Sequence, residues 1–314
     1  MKIIYMGTPD FAVPPLQAII DAGHEVLAVA TQPDKQKGRG REIKCSPVKE
    51  FALTQNLTIL QPLKIKAEDA VMELKRFGAD IYVIVAYGQI LSAEILRLPR
   101  YGCINIHASL LPKYRGAAPI QRAIISGEKE TGITIQQMDQ GVDTGDILFT
   151  KKIELEKCET SDSLHHKLSL LGAELIVEAL VQIEKGEVNA IKQNHEEASH
   201  APMISRDEGK IKWQTPAVKI ERLIRGLHSR PGAYTDYHNK TLKIWAADSV
   251  SRQSETAKPG TIMDVTKDSI IVACGEGCLA ITELQIEGKK KMSVRDFLLG
   301  YNISAGEMMS ETID

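Results

Sequence analysis

Asn105 and His107 are the side chains best suited to chemistry in the first half of the chain. They lie in the apolar stretch CINIH at 103–107, which predicts a buried β-strand. Successive side chains of a strand point to opposite faces, so the amide and the imidazole share one face while Ile104 and Ile106 share the other. An amide that donates hydrogen bonds beside an imidazole that exchanges protons is typical of an acid–base site.

A carboxylate follows in the polar loop 138–146, which precedes a predicted strand at 147–150. The glycines of this loop permit tight turns, so Asp143 is able to point back towards the sheet. An amide, an imidazole and a carboxylate together meet the needs of acyl transfer to an amine, in which an oxyanion needs donors, the attacking nitrogen loses a proton and the leaving nitrogen gains one. Each residue alone is more often structural, and their convergence is what favours catalysis.

The elements that must position these residues are those of an α/β domain. Near-continuous apolar runs at 2–6, 26–31 and 81–86 alternate with helical patterns, which indicates a Rossmann-like, doubly wound, mostly parallel sheet covered on both faces. Ligands of such sheets bind outside the carboxyl ends of the strands. The first turn, GTPDFA at 7–12, lacks the second and third glycines of GxGxxG, which argues against a dinucleotide and a dehydrogenase.

The chain changes character after residue 207. Short strand patterns separated by turns predict a small, OB-like β-barrel at the C-terminal end. The runs lie at 233–237, 241–246, 260–264, 269–273 and 278–285. A long helix at 161–185 and an extended polar stretch at 186–207 precede them. The predicted division is a Rossmann-like catalytic domain over 1–189, a linker over 190–207 and a β-barrel domain over 208–314.

Composition and charge exclude some classes of function. The chain has 314 residues and a net charge of -2, so any site for a polyanion must be a local patch. No apolar run is long enough to span a bilayer, Met1-Lys2 leads directly into a predicted strand, and the five cysteines form no disulfide or zinc pattern. We expect a cytoplasmic protein without a targeting peptide, a membrane segment or a metal.

One local patch of positive charge lies between Pro33 and Pro47. The patch has two acidic residues, Asp34 and Glu42, and five basic ones. The basic residues are Lys35, Lys37, Arg39, Arg41 and Lys44. Glycines at 38 and 40 make a solvated, flexible loop the commoner outcome for such a sequence. The alternative is a basic finger that binds phosphate or the end of a nucleic acid.

The motif Asn105-x-His107-x-Ser109-Leu110-Leu111-Pro112-x-Tyr114-Arg115-Gly116, with Asp143 in a Gly-x-Asp-Thr-Gly loop, resembles the folate-dependent formyltransferases. GTPDFA at 7–12, TQPDKQKGRG at 31–40 and GAAPIQRAI at 116–124 extend the resemblance over essentially the whole chain. It implies transfer of a formyl group from the co-substrate 10-formyltetrahydrofolate to the α-amino group of methionyl-initiator tRNA. It implies no metal and no covalent intermediate, and we expect a monomer.

The resemblance also implies roles for individual residues. His107 assists proton transfer or stabilises the oxyanion, Asn105 donates a hydrogen bond to it, and Asp143 orients His107 and assists protonation of the folate N10. The implied folate site is the corner Ser109, Leu110, Leu111 and Pro112, with a pterin wall from Tyr87, Gly88 and Gln89. The implied tRNA contacts are Lys37, Arg39 and Arg41, with Arg39 as the key contact, and phosphate contacts from Lys243 and 289–291 in the C-terminal domain.

Two alternatives stay open. A folate-dependent N-formyltransferase acting on a nucleotide sugar or a purine precursor would share the catalytic residues, but the basic loop and the C-terminal domain favour tRNA. An RNA-binding module with an inactive Rossmann domain is disfavoured because all three catalytic residues are intact. One departure from the family pattern is Met203, which stands where a Lys is common. Arg206 is the nearest cation that follows it, so the resemblance does not extend to a contact between a linker lysine and tRNA.

Overall fold

The computed structural model describes residues 1–37, 42–251 and 257–309. They form two compact units, neither of which is continuous in sequence. The first comprises Met1–Pro119, Glu130–Glu154 and His165–Ala201, and the second comprises Ile120–Lys129, Leu155–Leu164 and the chain from Pro202 onward. The domain bounds of 1–189, 190–207 and 208–314 stay a prediction, because a compact unit and a domain are defined by different criteria.

The regular elements alternate between strand and helix in the first half and are mainly strands in the last third. The strands are β1 Lys2–Gly7, β2 Glu25–Ala30, β3 Lys35–Lys37, β4 Glu42–Lys44, β5 Ile59–Leu60, β6 Ile81–Val85, β7 Cys103–His107, β8 Glu130–Gln137, β9 Ile147–Glu154, β10 Ala233–Tyr237, β11 Lys240–Val250, β12 Ile262–Val265, β13 Ile270–Ala273, β14 Cys278–Ile286 and β15 Met292–Ser293. The helices are α1 Val13–Asp21, α2 Pro47–Thr54, α3 Glu68–Arg76, α4 Ala93–Leu96, α5 Pro119–Ser126, α6 Ser161–Lys185, α7 Ala217–Gly226 and α8 Val294–Leu298. None of the helices in the described ranges combines the length and hydropathy needed to cross a bilayer.

The first unit contains a seven-stranded sheet in the order β5-β2-β1-β6-β7-β8-β9. The five strands from β5 to β7 pair in parallel, whereas β8 and β9 are antiparallel additions at one edge. Every residue of β6 is buried, as expected for a strand covered on both faces. The predicted Rossmann-like, mostly parallel α/β sheet is confirmed.

Strand β8 was not predicted from the sequence. Its run carries the polar residues Thr131, Thr134 and Gln136, which obscure an apolar strand pattern. All three are nonetheless buried, and Thr134 and Gln136 have hydrogen-bond partners. The strand matters for function because it pairs with β7 and lies beside Asn105 and His107.

Helix α6 covers the face of β7 and β8 that lies opposite Asn105 and His107. An ideal Cβ added to Gly172 of this helix would lie 3.0 Å from Ile106 Cγ2 and 3.8 Å from Ile133 Cδ1, so the helix backbone lies close to the sheet. The predicted helix at Ser161–Lys185 has those bounds in the structure. The isoleucines of β7 therefore face the core, and its polar residues are left for the other face.

The second unit contains an antiparallel six-stranded sheet, in the order β10-β11-β14-β13-β12 with β15 paired to β14. Helix α7 buries Ala217, Ile220 and Ile224, which recur at helical spacing, in the same core as Trp213 of this unit. The small C-terminal antiparallel β domain is confirmed. Its closure into an OB-like barrel stays a prediction.

Candidate active site

Asn105, His107 and Asp143 come together on one face of the seven-stranded sheet. Asn105 Nδ2 donates a hydrogen bond to Asp143 Oδ1 over 3.3 Å. His107 Nδ1 lies 3.6 Å from the same oxygen, which is within ion-pair range but too long for a good hydrogen bond. Strand alternation accounts for the two β7 residues, and the loop after β8 supplies the carboxylate.

The loop 138–146 folds tightly and presents Asp143 to β7. Asp143 has φ +52°, in the left-handed region that only a minority of residues other than glycine adopt. Asp139 Oδ1 accepts a hydrogen bond from Thr144 Oγ1 over 2.7 Å and so closes the turn. A Cβ at Gly145 would lie 1.7 Å from the carbonyl oxygen of Gln137, so only glycine fits there. The local chain fold therefore dictates where the carboxylate lies.

Two further donors hold Asp143, and sequence reasoning missed both. Gln136 Nε2 donates to Asp143 Oδ1 over 2.7 Å, and the backbone N–H of Gly116 donates to Oδ2 over 2.9 Å. Gln136 is 1% exposed and lies opposite Asn105 in the β7–β8 register. The only signal in the sequence is a polar pair, Gln136-Gln137, just before the Asp143 loop. Both carboxylate oxygens thus accept hydrogen bonds, which fix the orientation of the Asp143 side chain.

His107 is buried between two hydrogen-bond acceptors. Its Nε2 lies 2.9 Å from the carbonyl oxygen of Tyr114, and its Nδ1 faces Asp143. Because a carbonyl oxygen only accepts, Nε2 carries a hydrogen in either protonation state. A second proton on Nδ1 would then point at a carboxylate. Nδ1 is therefore the ring nitrogen that faces the carboxylate.

The corner at 109–112 is held by the strand beside it. Ser109 Oγ donates to the carbonyl oxygen of Lys113, and Thr134 Oγ1 donates to the carbonyl oxygen of Ser109, each over 2.7 Å. Ser109 and Leu111 are buried, whereas Leu110 and Pro112 are half-buried. The hydroxyl of Ser109 thus has a structural partner, and the half-buried apolar side chains are the ones available to a ligand.

The segment 87–89 follows β6 at its carboxyl end. The Tyr87 ring lies in the buried cluster that includes Leu91, and burial raises the pKa of Tyr87 to about 12. Gln89 tethers a neighbouring loop, because its Nε2 donates to Pro62 O over 3.1 Å and its Oε1 accepts from Ile65 N over 2.7 Å. A contact between this segment and a pterin stays a prediction, with Gly88 as its most accessible member.

The predicted basic loop is carried on a two-stranded hairpin that the sequence did not reveal. Strands β3 and β4 pair antiparallel, with Lys37 opposite Glu42. Arg39 and Arg41 lie outside the described residues, so their contact with tRNA stays a prediction. The same holds for Lys37, of which the structure describes only the backbone.

The hairpin is anchored at its base by Asp34. Lys49 Nζ lies 2.6 Å from Asp34 Oδ2, and Gln61 Nε2 donates to Oδ1 over 2.8 Å. The hydrogen bond from Lys49, and next the one from Gln61, hold the pKa of the Asp34 carboxyl below its usual value. These bonds fix the residue before β3 to α2 and to the residue that follows β5.

In the second unit, two of the predicted cationic residues lie over Trp245. Lys243 Nζ lies 4.0 Å from the centroid of the indole ring and Lys291 Nζ lies 5.2 Å from it. Lys289 and Lys290 are exposed beside them. Burial lowers the pKa of Lys243, although its side chain still donates to the carbonyl oxygen of Ser229 over 3.2 Å. The cluster combines positive charge with an aromatic ring, a pairing found where proteins bind nucleic acids.

Comparisons with known proteins match both parts of the chain to one family. The family model described as formyl transferase matches residues 1–180, and the model described as formyl transferase, C-terminal domain, matches residues 203–302. A methionyl-tRNA formyltransferase of Caldanaerobacter subterraneus subsp. tengcongensis is 50% identical over 310 residues, covering 98% of this chain and 100% of that protein. One of Agathobacter rectalis is 50% identical over 310 residues, covering 99% and 100%.

Among solved structures, an N-formyltransferase from Helicobacter canadensis in complex with folinic acid and dTDP-3-aminofucose has a TM-score of 0.68. It covers 93% of this chain and 100% of its own, at 18% identity, and so shows a shared fold. The two family models account for both the Rossmann-like sheet and the antiparallel sheet domain. With both parts matched, and with half of its residues identical to those of full-length relatives, the chain belongs to the formyl transferase family.

Proposed function

We propose that this chain transfers the formyl group of 10-formyltetrahydrofolate to the α-amino group of methionyl-initiator tRNA, which yields N-formylmethionyl-tRNA for translation initiation. The observation that carries the proposal is 50% identity, over 98% of the chain, to a relative named methionyl-tRNA formyltransferase. That identity extends through the second unit. A tRNA-binding surface there would serve a tRNA enzyme, whereas an enzyme that acts on a sugar nucleotide or a purine precursor would have no need of one. Translation initiation places the enzyme in the cytoplasm, and we propose that it acts as a monomer.

Asn105 stabilises the negative charge that develops on the formyl oxygen. A carboxamide nitrogen has two hydrogens, and one of them is directed at Asp143 Oδ1 over 3.3 Å. The other donates to the oxyanion as the amine attacks. The bond to Asp143 orients the amide before the reaction, so no rearrangement is needed at the transition state.

His107 takes a proton from the attacking α-amino group. The carbonyl oxygen of Tyr114 and the carboxylate of Asp143 flank the ring, and both stabilise the imidazolium that results. Asp143, which faces Nδ1 of His107, then assists delivery of that proton to N10 as the C–N bond to the folate breaks. The nitrogen that attacks thus loses a proton, the nitrogen that leaves gains one, and no covalent enzyme intermediate is required.

The residues around the site fit a reduced folate as formyl donor. The half-buried side chains of Leu110 and Pro112 offer apolar contact at the corner after β7. The buried Tyr87 hydroxyl has no hydrogen-bond partner in ranges 1–37, 42–251 and 257–309, which leaves it as a donor for a bound molecule. Within the same ranges, no group of three His, Cys, Asp or Glu side chains is placed to hold a metal ion, and the proposed steps invoke none.

The acceptor tRNA is bound by positive charge at two places. The hairpin β3–β4 is anchored through Asp34 and carries the basic residues that the family resemblance assigns to the acceptor stem. In the second unit, Lys243 and Lys291 supply contacts to phosphate, and the Trp245 ring beside them supplies a stacking surface. Both contributions are needed because the net charge of the chain, -2, attracts no polyanion by itself.

A comparison of acceptors tests the proposal. The values of kcat/KM for formyl transfer from 10-formyltetrahydrofolate are measured with methionyl-initiator tRNA, with methionyl-elongator tRNA and with an amino-sugar nucleotide. We expect the initiator tRNA to be the preferred acceptor and the sugar nucleotide to be inert. Preferred transfer to the sugar amine would keep the Asn105, His107 and Asp143 site but overturn the proposed acceptor.

A further inference from the structure

The segment 191–201, called the strap below, is hydrogen-bonded to the first unit along its length. At its start, Ile191 and Ile147 exchange two backbone hydrogen bonds of 2.8 Å. At its end, Ala201 N donates to the carbonyl oxygen of Arg115 over 2.7 Å. The sequence suggests only an extended polar stretch here, yet both ends of the strap are fixed next to the candidate active site.

The strap holds the segment 114–118, which touches both His107 and Asp143. Tyr114 N donates to Ser199 Oγ over 2.9 Å, and Arg115 N donates to Ser199 O over 2.9 Å. Tyr114 in turn supplies the carbonyl oxygen that accepts from His107. The ring of His107 is therefore positioned in part by strap residues that do not touch it.

Gly116 completes this arrangement because only glycine fits at its position. Its φ is +115°, and an ideal Cβ would lie 2.9 Å from the carbonyl oxygen of Ala201 in the strap. The close approach brings its backbone N–H within 2.9 Å of Asp143 Oδ2. One donor to the carboxylate thus depends on how closely the strap packs.

Gln193 of the strap holds the backbone of the Asp143 loop directly. Its Nε2 donates to the carbonyl oxygen of Asp143 over 2.9 Å and to that of Gly145 over 2.6 Å. Its Oε1 accepts from Arg115 Nε over 3.0 Å and from Arg115 Nη2 over 2.6 Å. The chemistry settles the orientation of the amide, because a guanidinium only donates and backbone carbonyl oxygens only accept.

Arg115 makes this hold rigid. Its side chain is buried, with the residue 5% exposed, and Nη1 lies 3.2 Å from His195 Nδ1, also in the strap. A guanidinium remains charged in proteins, so burying it is favourable only when its N–H groups have partners. The two bonds to Gln193 meet that need and fix the carboxamide in one place.

We propose that Gln193 is a positioning residue for formyl transfer. Its carboxamide keeps Asp143 in the left-handed backbone conformation, φ +52°, that aims the carboxylate at Asn105 and His107. It touches no reacting atom and acts through Asp143, both by its bonds to the loop backbone and by the contact of its Nε2 with Oε1 of Gln136 over 3.5 Å, since Gln136 donates to the Asp143 carboxylate. The kinetic part of its test rests on the proposed function, and the spectroscopic part does not.

Gln193→Glu is the informative variant. The introduced carboxylate keeps two acceptors for Arg115, so the buried guanidinium stays paired, but it has no N–H for the carbonyl oxygens of Asp143 and Gly145. The Asp143 carboxylate should then be displaced by a fraction of an ångström, and this displacement should lower kcat by about 10- to 100-fold. The KM values for folate and tRNA should stay within about two-fold, because Gln193 contacts neither substrate.

Gln137→Glu is the matched control. Gln137 Nε2 donates to a backbone carbonyl oxygen as well, that of Cys103, over 3.0 Å at the opposite end of β7 from His107. The substitution introduces the same charge and removes the same kind of donor in the same unit. We expect kcat to stay at the native value in this variant.

The second readout is the ¹⁵N NMR signals of the His107 imidazole at one fixed pH, assigned by their loss in His107→Asn. Movement of Asp143 should shift both signals in Gln193→Glu and neither in Gln137→Glu, whatever the acceptor proves to be. If native enzyme forms no formylmethionyl-tRNA while these signals respond as expected, the proposed acceptor fails and the role of Gln193 stands.

Two results would overturn the role of Gln193. One is native kcat in folded Gln193→Glu, and the other is a lowered kcat with unchanged His107 signals, which would mark a structural effect only. If Gln193→Glu does not fold, the double variant Gln193→Met with Arg115→Met takes its place, because it removes the donors of Gln193 together with the guanidinium that would otherwise be left buried and unpaired. The same fall in kcat and the same shifts are expected of it, and their absence overturns the proposal equally.

Discussion

Asp143→Asn is the substitution that perturbs the candidate site most selectively, because it exchanges one oxygen for an NH₂ group of nearly equal size. In the native site, Asp143 Oδ1 accepts from Asn105 Nδ2 and Gln136 Nε2, and Oδ2 accepts from Gly116 N. An asparagine side chain has one acceptor oxygen. Its best orientation places that oxygen at the Oδ1 position and sets the NH₂ group against the N–H of Gly116.

The expected magnitudes follow from this count. Loss of one hydrogen bond to a charged acceptor should lower the free energy of unfolding by about 1.5–3 kcal/mol. The charge that we propose stabilises an imidazolium at His107 is lost as well, so kcat should fall by about 100- to 10,000-fold. That factor corresponds to a rise of about 3–5 kcal/mol in the activation barrier.

The assay is steady-state formylation of methionyl-initiator tRNA, with urea unfolding on the same samples. Asp139→Asn is the matched control, because Asp139 lies on the same loop and accepts from Thr144 Oγ1, yet belongs to the turn and not to the catalytic residues. We expect the control to retain native kcat. A folded Asp143→Asn enzyme with native kcat, or an equal loss of kcat in the control, would refute a chemical role for the Asp143 carboxylate.

Three further predictions concern other parts of the chain. His107→Asn should leave the circular dichroism spectrum unchanged and lower kcat by about 100- to 10,000-fold, and native turnover would remove His107 from the mechanism. Arg39→Ala should raise KM for tRNA far more than KM for folate, with the exposed Arg97→Ala as control; equal changes in both KM values would contradict the tRNA role. The hydrogen bond from Tyr237, and next that from His238, lower the pKa of Glu307 in the folded protein. This contribution to stability should be present above the unfolded pKa of about 4.3 and lost as the pH falls through the lower folded pKa. Glu307→Gln should therefore be less stable than the native protein near neutral pH and should approach its stability in acid. A difference in urea-unfolding free energy that stays constant across this pH range would contradict the linkage.

The sequence predicts the parts of the site that depend on local periodicity. Strand alternation suffices to place Asn105 and His107 on one face, and a long helical pattern gives α6 its bounds. Strand β8 has no apolar pattern because several of its buried residues are polar. Their burial is favourable because they have partners on other elements, such as Asp143 for Gln136. Local pattern carries no information about such partners.

The hydrogen bond from Gln193 to the backbone of Asp143 could not be predicted for the same reason. The two residues lie 50 positions apart in the chain, and Gln193 stands in a stretch whose composition is that of a linker. The hairpin β3–β4 was missed because its strands pair with each other and have no apolar run. In both cases polar residues are ordered by long-range hydrogen bonds, which periodicity and propensity do not report.

Single-turnover formylation tests the central claim most directly, that Asn105, His107 and Asp143 transfer a formyl group straight from folate to methionyl-tRNA. Enzyme in excess over methionyl-initiator tRNA is mixed with 10-formyltetrahydrofolate labelled in the formyl carbon, and label is followed on methionine and on protein after denaturing quench. We predict a single exponential transfer to the methionine nitrogen, with none retained on the protein, and a rate lowered about 100- to 10,000-fold in Asp143→Asn. Label that passes through the protein, or equal rates in the native and variant enzymes, would contradict the account.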